Sequence, residues 1–84
     1  MPKLLYFAQL VDVLGASSEE LQLEVEPISV AELLTQLAQR GGAWQRVFGN
    51  PSGLRIAVNK SFAELDTPVR GSDEVAFVAS GRLA

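Results

Sequence analysis

The chain contains no cysteine and no histidine. Without cysteine there is no disulfide framework, no thiolate nucleophile and no thiolate metal site. Without histidine the commonest general base and the commonest metal ligand are both missing. Long apolar runs are missing too. Gln9 and Asp12 interrupt the N-terminal stretch, which leaves no signal-peptide core, and no run approaches the length of a membrane span. Excess positive charge is also absent. Lys and Arg number 7 against 10 Asp and Glu, for a net charge of −3. That balance argues against nucleic-acid binding. A soluble, cytoplasmic protein that engages neither membrane nor nucleic acid is expected. Any chemistry would have to use carboxylates, Lys3, Lys60, Tyr6 or the chain terminus. The 84 residues suffice for one domain, residues 1–84, of marginal stability by size.

What is present is a set of short, well-punctuated elements. Residues 3–9 read as a strand apolar on both faces, with Leu4, Tyr6 and Ala8 on one side and Leu5 and Phe7 on the other. Residues 10–15 read as a helical turn stopped by Gly15. Residues 20–26 alternate, placing Leu21, Leu23 and Val25 inside and Gln22, Glu24 and Glu26 outside; this predicts a half-buried edge strand. Ser29 followed by Glu32 is a capping box. Val30, Leu33, Leu34 and Leu37 then make one apolar helical stripe, so a long helix is expected over residues 29–40, ended by Gly41-Gly42. Residues 43–48 read as a second helical turn anchored by Trp44, Val47 and Phe48. Residues 54–60 read as a strand with Ile56 and Val58 inward, and residues 62–65 as a short strand. Asp66-Thr67-Pro68 reads as a turn.

After the turn Gly71-Ser72-Asp73 comes the last strand, residues 74–78. Val75 and Phe77 face one way, Ala76 and Val78 the other. Residues 79–84 show no apolar periodicity and no capping partner, so a free tail is expected from Ala79 onward. The first and last strands are the most apolar and are expected to lie adjacent, central and parallel. The fold class expected is α+β: a β-grasp, ubiquitin-like domain whose mixed sheet of four to five strands carries one long helix on one face.

That helix covers only one face. The core would contain Leu4, Tyr6, Leu21, Leu23, Val25, Ile56, Val58, Val75 and Phe77. On the opposite face Leu5, Phe7 and Val78 remain apolar, and Phe62 on the short strand extends them. Such a patch marks a partner surface, unless residues 41–53 fold over it with Trp44 and Phe48. Glu19-Glu20 and Asp73-Glu74 are adjacent carboxylates that point to opposite faces and read as solvated charges.

Four stretches resemble a known family: Lys3-Leu4-Leu5-Tyr6-Phe7-Ala8-Gln9-Leu10, Ser29-Val30-Ala31-Glu32-Leu33, Ala57-Val58-Asn59 and Asp73-Glu74-Val75-Ala76-Phe77. In order and spacing they are similar to the MoaD branch of the MoaD/ThiS ubiquitin-like sulfur carriers, the small subunits of molybdopterin synthase. The resemblance implies a β-grasp fold and a carrier that is itself non-catalytic within a sulfurtransferase complex. Its terminal carboxylate, here on Ala84, would be activated by an ATP-dependent adenylating enzyme and converted to a thiocarboxylate. No cofactor would be bound. The tail would enter the large subunit of molybdopterin synthase and give its sulfur to cyclic pyranopterin monophosphate.

The family's tails end in Gly-Gly, which can thread a narrow channel and leave the reacting carbonyl open. This sequence instead ends Gly81-Arg82-Leu83-Ala84. A poor sulfur acceptor is therefore expected, with Leu83 as the obstruction. The resemblance implies a sulfur carrier of molybdenum-cofactor biosynthesis acting through Ala84; the apolar face by itself supports the alternative, a non-carrying ubiquitin-like interaction module that docks through Leu5, Phe7, Phe62 and Val78.

Overall fold

The structure is a computed structural model and describes residues 1–79. Two apolar strands lie side by side at its centre. β1 (Lys3–Tyr6) runs parallel to the last strand, β7 (Glu74–Ala79), with Leu4 opposite Val75 and Tyr6 opposite Phe77. Their parallel pairing requires a long crossover between them, and nearly the whole chain supplies it. β2 (Ser18–Glu20) flanks β1 antiparallel, and β4 (Leu54–Val58) flanks β7 antiparallel. β5 (Ser61–Phe62) closes the sheet in the order β2-β1-β7-β4-β5. This is the mixed β-grasp sheet that the sequence predicts.

α1 (Gln9–Leu14) follows β1 and stops at Gly15, whose φ of 74° is the left-handed conformation that favours glycine. α2 (Val30–Ala38) begins at Ser29. The Ser29 hydroxyl accepts from the Glu32 amide, and the Glu32 side chain returns to the Ser29 amide, so the capping box is complete. Val30, Leu33, Leu34 and Leu37 are all buried against the sheet, and each such burial stabilises the fold by roughly 1.5–3 kcal/mol. α3 (Gly42–Phe48) buries Val47 and Phe48. It packs on the same side of the sheet as α2. Phe48 stands edge-on to Phe77 with centroids 5.1 Å apart, and Trp44 stands edge-on to Tyr6 at 5.6 Å.

The structure corrects the sequence reading in several places. The expected strand over residues 20–26 is only Ser18–Glu20. Leu21 still donates its N–H to the Pro2 carbonyl, but proline has no N–H to return, and the ladder stops there. Leu21 and Leu23 remain half-buried at the core margin, while Val25 is 68% exposed rather than inside. β1 ends at Tyr6, and Ala8, expected on the core face, is exposed with φ 54° as the chain turns into α1. The helix expected over 29–40 is Val30–Ala38, joined by the two shorter helices α1 and α3. The last strand runs on to Ala79, which sits opposite Leu54, so that residue belongs to the sheet and not to a tail.

A second, two-stranded sheet went unpredicted: β3 (Ile28–Ser29) against β6 (Pro68–Val69). It buries Ile28 and Val69 and fastens the start of α2 to the turn before β7.

Candidate functional site

The alternating geometry of the strands decides what the uncovered face presents. Val75 and Phe77 are buried beneath the helices, so Ala76 and Val78 project the other way. Leu5 lies opposite Ala76, Arg55 opposite Val78, and Ala57 opposite both Ala76 and Phe62. The register thus assembles Leu5, Ala57, Phe62, Ala76 and Val78 on one face. Phe7, one residue past β1, continues it, held by its N–H to the Phe77 carbonyl at 3.1 Å. Phe62 is 78% exposed, Phe7 45% and Val78 36%, while Leu5 is half-buried. Residues 41–53 do not cover them, because Trp44 and Phe48 turn to the core aromatics Tyr6 and Phe77 instead.

The polar groups on this face are sparse. Lys3 lies between Glu20 and Glu74, its register partners on either side. Arg55 lies at the other end, its guanidinium 5.7 Å from the centroid of the Phe62 ring. Arg55 and Ala57 were not among the site residues expected from the sequence. Their alternation with inward Ile56 and Val58 was a usable signal, but their proximity to Phe62 depends on the β4–β5 register. These groups can bury apolar area and orient a partner.

The carboxylates read as solvated are more specifically employed. Glu19 accepts from the Tyr6 hydroxyl at 2.9 Å and from both Arg40 guanidinium nitrogens at 2.9 and 2.7 Å. Arg40 also stacks on Trp44, 4.4 Å from the ring centroid. The hydrogen-bonded Arg40, with Tyr6 adding to it, holds the Glu19 carboxyl below the usual carboxylate range. Burial first, and then the bond to Glu19, push the Tyr6 hydroxyl pKa up. Asp73 accepts from the Arg70 amide and from the Asn59 side chain, and these two bonds lower its pKa in that order. Asn59 in turn accepts from the Glu74 amide, so it ties the end of β4 to the start of β7. Glu26 accepts from the Gly71 amide and braces the same turn. These are fastenings within the fold. Lys60 and Asp66 are exposed turn residues.

β7 brings the chain to Ala79 beside the Arg55 end of the apolar face. The expected tail residues Gly81, Arg82, Leu83 and Ala84 lie outside the described residues.

Comparison with known proteins places this geometry among relatives. The model of the ThiS family matches residues 4–80. The molybdopterin synthase sulfur carrier subunit of Haemophilus influenzae is 30% identical over 77 residues, covering 92% of this chain and 91% of that protein. SAMP1 of Haloferax volcanii superposes with a TM-score of 0.76 at 23% identity, over 93% of this chain and 92% of the other. A candidate molybdopterin converting factor, subunit 1, from Pyrococcus furiosus gives the same TM-score and identity, over 93% and 94%. At that identity the two structures establish the shared fold.

Proposed function

This chain belongs to the ThiS family, and from that membership we propose that it is the sulfur carrier, or small subunit, of a molybdopterin synthase. One structural observation carries the reading. The central strand β7 reaches Ala79 at one end of an apolar face that no element of the described chain covers. A carrier needs that combination: a surface that docks, and a chain segment that continues from the docking surface into a partner. The relative from Haemophilus influenzae supports the assignment of the pathway.

In this reading the carboxylate of Ala84 attacks the α-phosphorus of ATP on an adenylating enzyme, and pyrophosphate leaves. Sulfide then attacks the acyl carbon, AMP leaves, and a thiocarboxylate results. Docked on the large synthase subunit, the tail delivers that sulfur to cyclic pyranopterin monophosphate. The carrier's own part is to bind and to orient. Leu5, Phe7, Phe62 and Val78 supply the buried area, and the paired strands β1 and β7 hold the point from which the tail departs. Partners supply the acid–base chemistry, consistent with a chain that has neither histidine nor cysteine.

Incubation with the adenylating enzyme, ATP and a sulfur donor, followed by intact-mass measurement, tests the assignment. Leu83 puts a branched side chain where the family's channel takes glycine, and a displacement of about 1 Å at a reacting carbonyl costs on the order of a hundredfold in rate. The sequence ending at Ala84 is therefore expected to gain sulfur slowly. The Leu83→Gly, Ala84→Gly variant is expected to gain it readily. Rapid, complete conversion of the unaltered chain would refute the steric argument. Failure of both chains with an adenylating enzyme active on its own carrier would favour the interaction module that docks through the same face and transfers nothing.

A further inference from the structure

We propose that Arg55 is the specificity determinant of the docking face, and that its ligand is a carboxylate side chain on the large synthase subunit. The inference rests on the docking role proposed above and names the chemistry of the partner at one point. Arg55 stands on the exposed face of β4, in register with Val78 and over the Phe62 ring. Any partner that covers Val78 and Phe62 therefore covers Arg55 as well.

A guanidinium stays charged at every accessible pH. Taking it out of water without an anion is expensive, and only a well-placed, hydrogen-bonded counter-charge offsets that cost. Among the described residues no carboxylate pairs with Arg55, and the salt bridge is Arg40–Glu19, on the helix side of the molecule. On the β7 side the neighbour of Arg55 is the apolar Val78, and on the other side β5 ends at Phe62. The Phe62 ring offsets the charge weakly while the face is wet. In the complex the missing anion has to come from the partner, and the planar fork of Arg suits a carboxylate that it can grip with two parallel hydrogen bonds. Because Ala79 lies opposite Leu54, next to Arg55, this ion pair would sit beside the last described residue of β7.

The test is titration calorimetry of the full chain with the large synthase subunit from the same organism, at low and high salt. Arg55→Met keeps the length and the apolar contact but removes the charge. It is expected to weaken binding by about thirtyfold or more, the usual consequence of leaving one member of a buried charge pair alone. Arg55→Glu should weaken it further, and Arg55→Lys less than Arg55→Met. Thermal unfolding checks that each variant folds, and unaltered melting is expected because Arg55 is exposed. Arg55→Met binding as tightly as the unaltered chain, or more tightly, would overturn the proposal. So would equal losses for Arg55→Lys and Arg55→Met. If the unaltered chain fails to bind the large subunit, the docking role itself falls and this inference with it. If the unaltered chain binds and Phe62→Asp abolishes binding while Arg55→Met does not weaken it, the docking role stands and only the role of Arg55 is lost.

Discussion

Glu19 is the residue at which three elements meet. It sits in β2, accepts from Tyr6 of β1, and pairs with Arg40 just beyond the end of α2. Tyr6 can be buried among Trp44, Phe48 and Phe77 only because its hydroxyl has this acceptor. Arg40 and Glu19 are both partly open to solvent, so their attraction is screened, and the contribution of the pair is correspondingly modest. Its pH dependence is nevertheless distinctive. Arg40 lowers the Glu19 pKa from its ordinary 4.5. A depressed carboxyl stabilises the fold above the unfolded-state value and loses that contribution as pH falls through the folded one. Stability should therefore decline as pH drops below about 4.5, and Glu19→Gln should flatten that part of the curve. Urea unfolding at a series of pH values measures it; an unchanged acid limb in the variant would mean that other carboxylates control it.

At the scale of elements, α2 and α3 depend on different physics. α2 is specified locally, by its stripe and its cap. Ser29→Ala removes one acceptor from a helix whose packing remains, and should destabilise by about 1 kcal/mol. α3 has no side-chain cap at Gly41, so its position relies on the aromatic side chains it inserts. Phe48 touches Tyr6, Trp44 and Phe77 at once. Phe48→Ala should cost about 3–5 kcal/mol, a large part of the roughly 5–15 kcal/mol available to a domain. Denaturant midpoints for the two variants should separate them clearly. A small effect at Phe48 would show that α3 is not fastened through that ring.

At the scale of the molecule, the sheet has one face packed into the core and one left open, the face proposed for docking. The helices and all the large aromatics except Phe7 and Phe62 are on the first. Phe62→Asp should therefore leave unfolding within about 0.5 kcal/mol of the unaltered protein, since the ring is largely in water already. The same change should abolish binding to a large synthase subunit, because it places a charge in the middle of the patch proposed to dock. Far-UV circular dichroism and calorimetry on one sample would read both. Loss of folding would assign Phe62 to the core, and retained binding would move the docking surface elsewhere.

Much of this was legible in the sequence. The periodicity of Val30, Leu33, Leu34 and Leu37 and the Ser29/Glu32 pair define α2, because helix pitch and unpaired first-turn amides act over a few residues. The apolar runs of the first and last strands place them together at the centre, where Leu4, Tyr6, Val75 and Phe77 fill the core beneath the helices. The short β3–β6 pair left no comparable trace, since two residues carry no period. Alternation alone could not reveal where β2 stops: Leu23 and Val25 continue the pattern after the partner strand has reached Pro2, which has no amide to give. Nor could it reveal the side on which α3 packs, because the apolar Trp44 and Phe48 suit either face until Tyr6 and Phe77 are seen from one of them. The juxtaposition of Arg55, Phe62 and Val78 was decided last, by the register of three strands brought together from distant parts of the chain. Local sequence therefore determined the helix and the central strands, through backbone geometry. Tertiary structure decided which side chains share a surface, because that depends on pairings made over the length of the molecule.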